Sequence, residues 1–208
     1  MAPKLGTATC LQPLSVSVNT KHLGDSYDLV KRSLLAWLKP LGLWHVHPMF
    51  TAAFKPGQIK CYQDLLGVPL ITSEPLPIHP KREAHIELAH VHGHVLFDPD
   101  TGLKMNGRVS ALRKYLLKKE LLAAVRARPS VLTAVFDQSL SYGKVESELI
   151  AKAKTLAQNA VRCFAYSSHA SFIFVSADAK LLESARKLLL QAGIPEKRDG
   201  FSGLTKLY

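Results

Sequence analysis

The strongest constraint on this chain is how its hydrophobic spacing changes through residues 129–208. Strand side chains alternate with a period of two and helical ones recur every 3.6 residues, so the period names the element. Val131–Phe136 is a short apolar run and predicts a strand. Lys144–Ala160 carries Val145, Leu149, Ala153, Leu156 and Ala160 on one helical stripe. Val161–Tyr166 and Ser171–Ser176 read as strands on either side of the tight turn Ser167-Ser168-His169-Ala170. Asp178 is placed to cap a helix through Ala192, with Leu181, Leu182, Ala185, Leu188 and Leu189 facing inward. Gly193 stands where a C-cap glycine belongs, and Gly203–Tyr208 closes the series as a strand.

The order β-α-β-β-α-β is that of the ferredoxin-like fold. The fold class expected is therefore α+β, with a C-terminal ferredoxin-like βαββαβ unit over residues 129–208. A basic connecting helix over 104–128 precedes it, and a smaller α/β region occupies 1–103. In that first region Pro13–Asn19 reads as a strand, and Asp25 or Ser26 caps a helix running to about Leu38. Gly42–Phe54 reads as a strand and Gln58–Leu66 as a short helix. Ser73–Lys81 holds three prolines in nine residues and reads as an extended surface arm, since proline donates no backbone hydrogen bond. His85–Phe97 reads as a strand, Asp98–Gly102 as a turn, and Ser110–Arg126 as a helix stopped by Arg128-Pro129.

Within the C-terminal unit, Ser171-Phe172-Ile173-Phe174-Val175-Ser176 followed by Asp178–Ala185 resembles the third strand and second helix of the RNA-recognition motif. Val135–Leu140, with Phe136 at the aromatic position, resembles that family's first strand. The resemblance implies an RNA-binding sheet face on which Phe172 and Phe174 stack bases. The alternative reading of the same residues is an ordinary core in which both rings are buried. The match departs from the family at Ala170, Asp137 and Ala177.

Charge points to the same class of partner. The chain of 208 residues has 27 Lys and Arg against 16 Asp and Glu, a net charge of +11. Ten of those charges lie beyond residue 100. The densest run is Lys104, Arg108, Arg113, Lys114, Lys118, Lys119, Arg126 and Arg128 against the single acid Glu120. A patch of one sign attracts polyanions, of which nucleic-acid phosphate is the commonest. Expected RNA-contacting residues are Arg108, Arg113, Lys114, Lys118, Lys119, Arg126 and Arg128, joined by Phe172 and Phe174.

The histidines suggest a different chemistry. If His85–Phe97 is a strand, His90, His92 and His94 project from one face and are placed to hold a transition metal. His90-Val91-His92 followed by Tyr115-Leu116-Leu117-Lys118 looks like the motif pair of single-strand nicking enzymes of the His-hydrophobic-His class. That resemblance implies a metal on His90 and His92 polarising a phosphate, and Tyr115 attacking it from a helix. No Gly-rich phosphate loop, nucleophile elbow or His-Glu-x-x-His stands in the chain.

Cys10, Cys61 and Cys163 are odd in number and too far apart for a zinc knuckle, which suits free thiols in a reducing compartment. No uncharged stretch reaches the ~18–20 residues that a membrane span requires. The N-terminus lacks a secretory pattern, and its first acid is Asp25, which faintly suits organellar import. The sequence therefore leads to a non-catalytic, RNA-associated component of a ribonucleoprotein such as a ribosome. The compartment expected is the cytoplasm or the mitochondrial matrix, the partners are RNA and other protein subunits, and no cofactor is expected. The alternatives are the metal-dependent nicking enzyme and a structural subunit of a large protein complex.

Overall fold

The computed structural model describes residues 23–77, 81–86, 88, 90–106, 112–196 and 203–208. It is a mixed α+β protein built on one six-stranded mixed sheet. The strands are β1 (Trp44–His47), β2 (His94–Phe97), β5 (Thr133–Phe136), β6 (Arg162–Ser167), β7 (Ser171–Ser176) and β8 (Gly203–Leu204). A two-stranded parallel sheet pairs β3 (Gly102–Lys104) with β4 (Tyr115–Leu117). The helices are α1 (Ser26–Leu38), α2 (Pro56–Leu66), α3 (Arg82–Ile86), α4 (Lys118–Ala127), α5 (Val145–Ala157) and α6 (Ala179–Gln191).

Local signals place several of these elements where the sequence puts them. Asp25 caps α1 by accepting from the amides of Tyr27 and Asp28. Asp178 caps α6 by accepting from Lys180 and Leu181. Gly193 follows α6 at φ +92, a left-handed conformation that only glycine adopts cheaply. The turn at Ser168–Ala170 joins β6 to β7 in antiparallel register, with Phe164 opposite Phe174. The predicted strand Pro13–Asn19 lies outside the described residues.

The topology differs from the expected ferredoxin-like unit at the closing strand. The sheet runs β1-β2-β5-β7-β6-β8. In the split βαβ arrangement the closing strand pairs with the first, which here is β5. That edge is taken: β2 pairs with β5 in parallel, Val95 against Thr133 and Phe97 against Val135. β8 instead pairs with β6, Tyr166 against Leu204. One sheet therefore runs across residues 103/104 and 128/129, with β1 and β2 on one side of those points and β5 to β8 on the other.

Moving that strand decides the layering. α5 carries the chain from β5 to the parallel β6, with β7 between them. α6 carries it from β7 to the parallel β8, with β6 between them. Both connections step across the sheet in one direction, but their strands point opposite ways. The right-handed rule for such crossovers then puts their helices on opposite faces. Side-chain packing follows this rule. Leu149, Ala153 and Leu156 of α5 share a core with Val135, Ile173 and Val175. Leu182, Ala185 and Leu189 of α6 share the other core with Ala134, Phe172 and Phe174. We call these the α5 face and the α6 face. α1 and α2 join the α6 face, while α3 and α4 join the α5 face.

Two segments reassign predicted elements. The predicted helix Ser110–Arg126 is a 3-10 turn at Leu112–Lys114, then β4, then α4. The predicted strand His85–Phe97 is α3, a connecting segment and the short β2. The predicted arm at 73–81 is pinned at Leu76, which is fully buried and donates its amide to the Phe50 carbonyl. Residues 78–80 of that arm lie outside the described residues. Among the described residues, no helix is long and apolar enough to cross a membrane.

Candidate functional site

β2 and β5 are parallel, so their carboxyl ends meet at one edge of the sheet, where open α/β sheets commonly place ligands. Each ends in the same pattern, Val95-Leu96-Phe97-Asp98 and Ala134-Val135-Phe136-Asp137. Alternation then sends the two aspartates to opposite faces. Phe97 packs in the α5 core, so Asp98 turns to the α6 face, and Phe136 packs in the α6 core, so Asp137 turns to the α5 face.

On the α6 face Asp98 is buried and accepts from Lys31 Nζ at 2.8 Å and from the Tyr62 hydroxyl. Lys31 also donates to Asp28 at 3.0 Å and stands 4.4 Å over the Phe136 ring. Burial opposes the lysine charge, but Asp98 and Asp28 together outweigh it and hold its pKa above the ordinary value. Burial lifts Asp98 above its ordinary value although Lys31 and the Tyr62 hydroxyl pull the other way, with a smaller upward push from Asp28. Burial and then Asp98 push the Tyr62 phenol well up.

On the α5 face Asp137 is fully buried and accepts four hydrogen bonds. They come from the amides of Leu103 and Ser139, from Ser139 Oγ at 2.7 Å and from Lys152 Nζ at 2.7 Å. Gly102 permits this approach: at its φ of +134 a Cβ would lie 2.1 Å from Asp137 Oδ1. Lys152 Nζ also donates to Ser139 Oγ at 2.8 Å and to the Leu103 carbonyl at 2.9 Å. An ammonium has three donors and no lone pair, so Lys152 in this ion pair is no base for Ser139. In the sequence Asp98 and Asp137 are charged residues directly after apolar strand runs, a signal that the turn reading of Asp98–Gly102 absorbed for the first and the departure from the RNA-recognition motif absorbed for the second.

The predicted basic residues divide by burial. Arg113, Lys114, Lys119 and Arg126 are exposed and Lys118 is half-buried. Lys119 pairs with Glu83 at 2.9 Å and Lys114 with Asp100 at 3.6 Å, both in solvent. Arg113, Lys118 and Arg126 pair with no carboxylate among the described residues. Arg108 lies outside the described residues. Arg128 is no surface contact: it is buried beyond the last turn of α4 and donates to the Gly93 carbonyl.

Phe172 and Phe174 correct the stacking expectation. Both are 0% exposed, because α6 and α1 cover the sheet face that the RNA-recognition motif leaves open. Phe174 stacks on Phe164 at 4.7 Å and Phe172 lies 5.3 Å from Phe136, so these rings bind one another.

The histidine arrangement is corrected too. His90 and His92 are exposed in the segment before β2, whereas His94 is buried within it. His94 Nε2 meets the Leu41 carbonyl at 3.0 Å and Nδ1 accepts the Leu132 amide. Tyr115 begins strand β4 and stands on no helix. Among the described residues no group of three His, Cys, Asp or Glu is placed to hold a metal ion.

His47 is a buried counterpart of His94. Its Nδ1 accepts the Met49 amide and its Nε2 meets the His85 carbonyl at 3.1 Å, which only the neutral ring satisfies. Burial pushes its pKa down to about 4. A depressed histidine contributes stability that is fully present above the unfolded value of 6.5 and is lost as pH falls toward 4. The loss amounts to about 3 kcal/mol at 1.36 kcal/mol per unit. In urea titrations between those limits, His47→Gln should flatten the fall in stability, since glutamine keeps hydrogen-bonding capacity without a proton to gain. An equally steep fall in that variant would assign the acid sensitivity elsewhere.

No protein-family model matches the chain, and no curated protein is significantly similar to it.

Proposed function

We propose that this protein is a non-catalytic, RNA-associated component of a ribonucleoprotein assembly such as a ribosome, cytoplasmic or mitochondrial, and that it grips RNA by its phosphates. One observation supports this reading above the others. The buried networks hold three cations, Lys31, Arg82 and Lys152, and four acids, Asp28, Asp98, Glu120 and Asp137. Subtracting them from 27 basic and 16 acidic residues leaves 24 against 12. Among the described residues these ion-paired networks take up one more acid than base, and the residues outside them, the buried but carboxylate-free Arg128 included, are two-to-one basic. Arg113, Lys118 and Arg126, near or on α4, belong to that excess and pair with no carboxylate among the described residues. With Phe172 and Phe174 buried, recognition rests on charge rather than base stacking.

Phosphate contacts release counterions, so affinity for RNA falls with salt by roughly 0.7–0.9 logarithmic units per contact per decade. The triple variant Arg113→Glu, Lys118→Glu and Arg126→Glu should flatten that slope by about 2–3 units, roughly one for each contact. The check is an anisotropy titration of a structured RNA at several salt concentrations. A slope unchanged by the triple substitution removes these residues from the interface, and binding insensitive to salt removes the phosphate reading altogether.

The third reading, a structural subunit of a protein complex, draws on a different feature. A groove of about 530 Å3 between α3 and α4 is lined by Ile86, Leu88, Ala123, Ala124 and Ala127, an apolar strip with a charged rim at Glu83 and Lys119. Purification with and without ribonuclease separates the readings, because protein partners that dock directly survive loss of the RNA.

A further inference from the structure

The carboxyl end of β5 opens on a cleft of about 460 Å3, between the β3–β4 sheet and the loop that follows β5. We propose that this cleft is a binding site for a small polar carboxylic acid. Its size lies within the range of small-molecule pockets, and its place at the ends of parallel strands is where such sheets hold ligands.

One wall is held in place by part-buried hydrogen bonds. Ser139 and Lys152 line the cleft, and both are held by the fully buried Asp137. Gly102 carries no Cβ, which would collide with that carboxylate and with the Gln138 amide at 2.9 Å. A wall locked this way loses little entropy when it binds.

Charge selects the ligand. Lys152 and Asp137 cancel, since they form an ion pair at 2.7 Å. The remaining cation in the lining is Lys104, which pairs with no carboxylate among the described residues and stands 5.6 Å from the Tyr115 ring centre. Among the described residues the lining thus carries one net positive charge and matches a monoanion, whereas a phosphate monoester brings close to two negative charges. Gln138 and Ser141 are exposed beside it and offer hydrogen bonds to a hydroxylated body, and Leu140 offers an apolar wall. The proposal stands apart from the RNA reading, because Arg113, Lys118 and Arg126 do not line the cleft.

An amide NMR titration of the full chain tests it, with lactate, gluconate and mandelate as acids and with glucose and the dinucleotide UpU as comparisons. Saturable shifts at Leu103–Met105, Tyr115 and Gln138–Ser141 are expected with at least one acid and not with glucose. Lys104→Gln, at a partly exposed position outside every buried network, should weaken that binding about ten-fold or more. The proposal fails if none of the acids shifts these amides at tens of millimolar, or if Lys104→Gln binds as tightly as the parent. It fails also if UpU shifts them and the acids do not, which would make the cleft an RNA subsite.

Discussion

Replacing Lys31 with methionine is expected to destabilise the protein by about 3–5 kcal/mol, the range found when one partner of a buried ion pair is removed. Lys31 is the cation shared by Asp28 and Asp98, and its side chain is 7% exposed. Without it, both carboxylates are left beneath α1 and α2 facing a neutral thioether. For a chain of this length the loss corresponds to a melting temperature lower by roughly 10 °C. The double variant Lys31→Met with Asp98→Asn should recover part of the loss, because the second change removes one of the stranded charges. An undiminished loss in the double variant would mean that Lys31 acts through packing on Phe136 and not through charge.

The same network gives the protein an alkaline limit. The folded pKa of Lys31 is raised, so its contribution is complete below the unfolded value of 10.5 and is lost as pH rises through the folded value. Tyr62 acts in the same direction: the unfolded phenol ionises from pH 10 upward while the buried one stays neutral. Stability should therefore fall progressively above about pH 10, and Tyr62→Phe should make that fall shallower.

Replacing Arg82 with methionine should cost a similar amount, about 3–5 kcal/mol. Arg82 is 0% exposed and holds Glu120 with two hydrogen bonds, Nε at 2.6 Å and Nη2 at 3.0 Å. It also donates to the Tyr115 carbonyl, so one side chain joins α3, β4 and α4. Glu120 in turn accepts the Leu117 amide at the start of α4. Removing the guanidinium strands a buried carboxylate and loosens the first turn of that helix. A double-mutant cycle with Glu120→Gln measures the coupling in chemical denaturation. A coupling below about 0.5 kcal/mol, the level at which independent sites add, would sink the claim that this pair ties α3 to α4.

Much of the architecture is legible locally. The caps at Asp25 and Asp178, the stripe of α6, the Leu149, Ala153 and Leu156 part of the α5 stripe, and the strands around Ser168–Ala170 are short-range features that stand where spacing places them, whereas Ala160, expected on the α5 stripe, lies exposed beyond that helix. Residues 110–117 show the limit of such reasoning. Leucine, lysine and alanine favour helix, but Tyr115–Leu117 pairs with Gly102–Lys104 because that buries Leu103 and Leu116 together in the α5 core. Helix propensity amounts to tenths of a kcal/mol per residue, less than burying one leucine contributes. The histidines misled for a related reason. Alternation over His90, Val91 and His92 imitates a strand, but the pairing with β1 begins only at His94.

Periodicity, caps and composition are properties of neighbouring residues, and they set the types and order of the C-terminal elements and where the excess charge falls. Which edge β8 takes depends on long-range packing, since β2, which lies some 35 residues before β5, already holds the other edge. From that one choice follow the second helical layer and the burial of Phe172 and Phe174. The cleft beside Asp137 is likewise a tertiary fact. Leu103, Asp137 and Lys152 are distant in sequence, and only the meeting of β3, β5 and α5 brings their hydrogen bonds together.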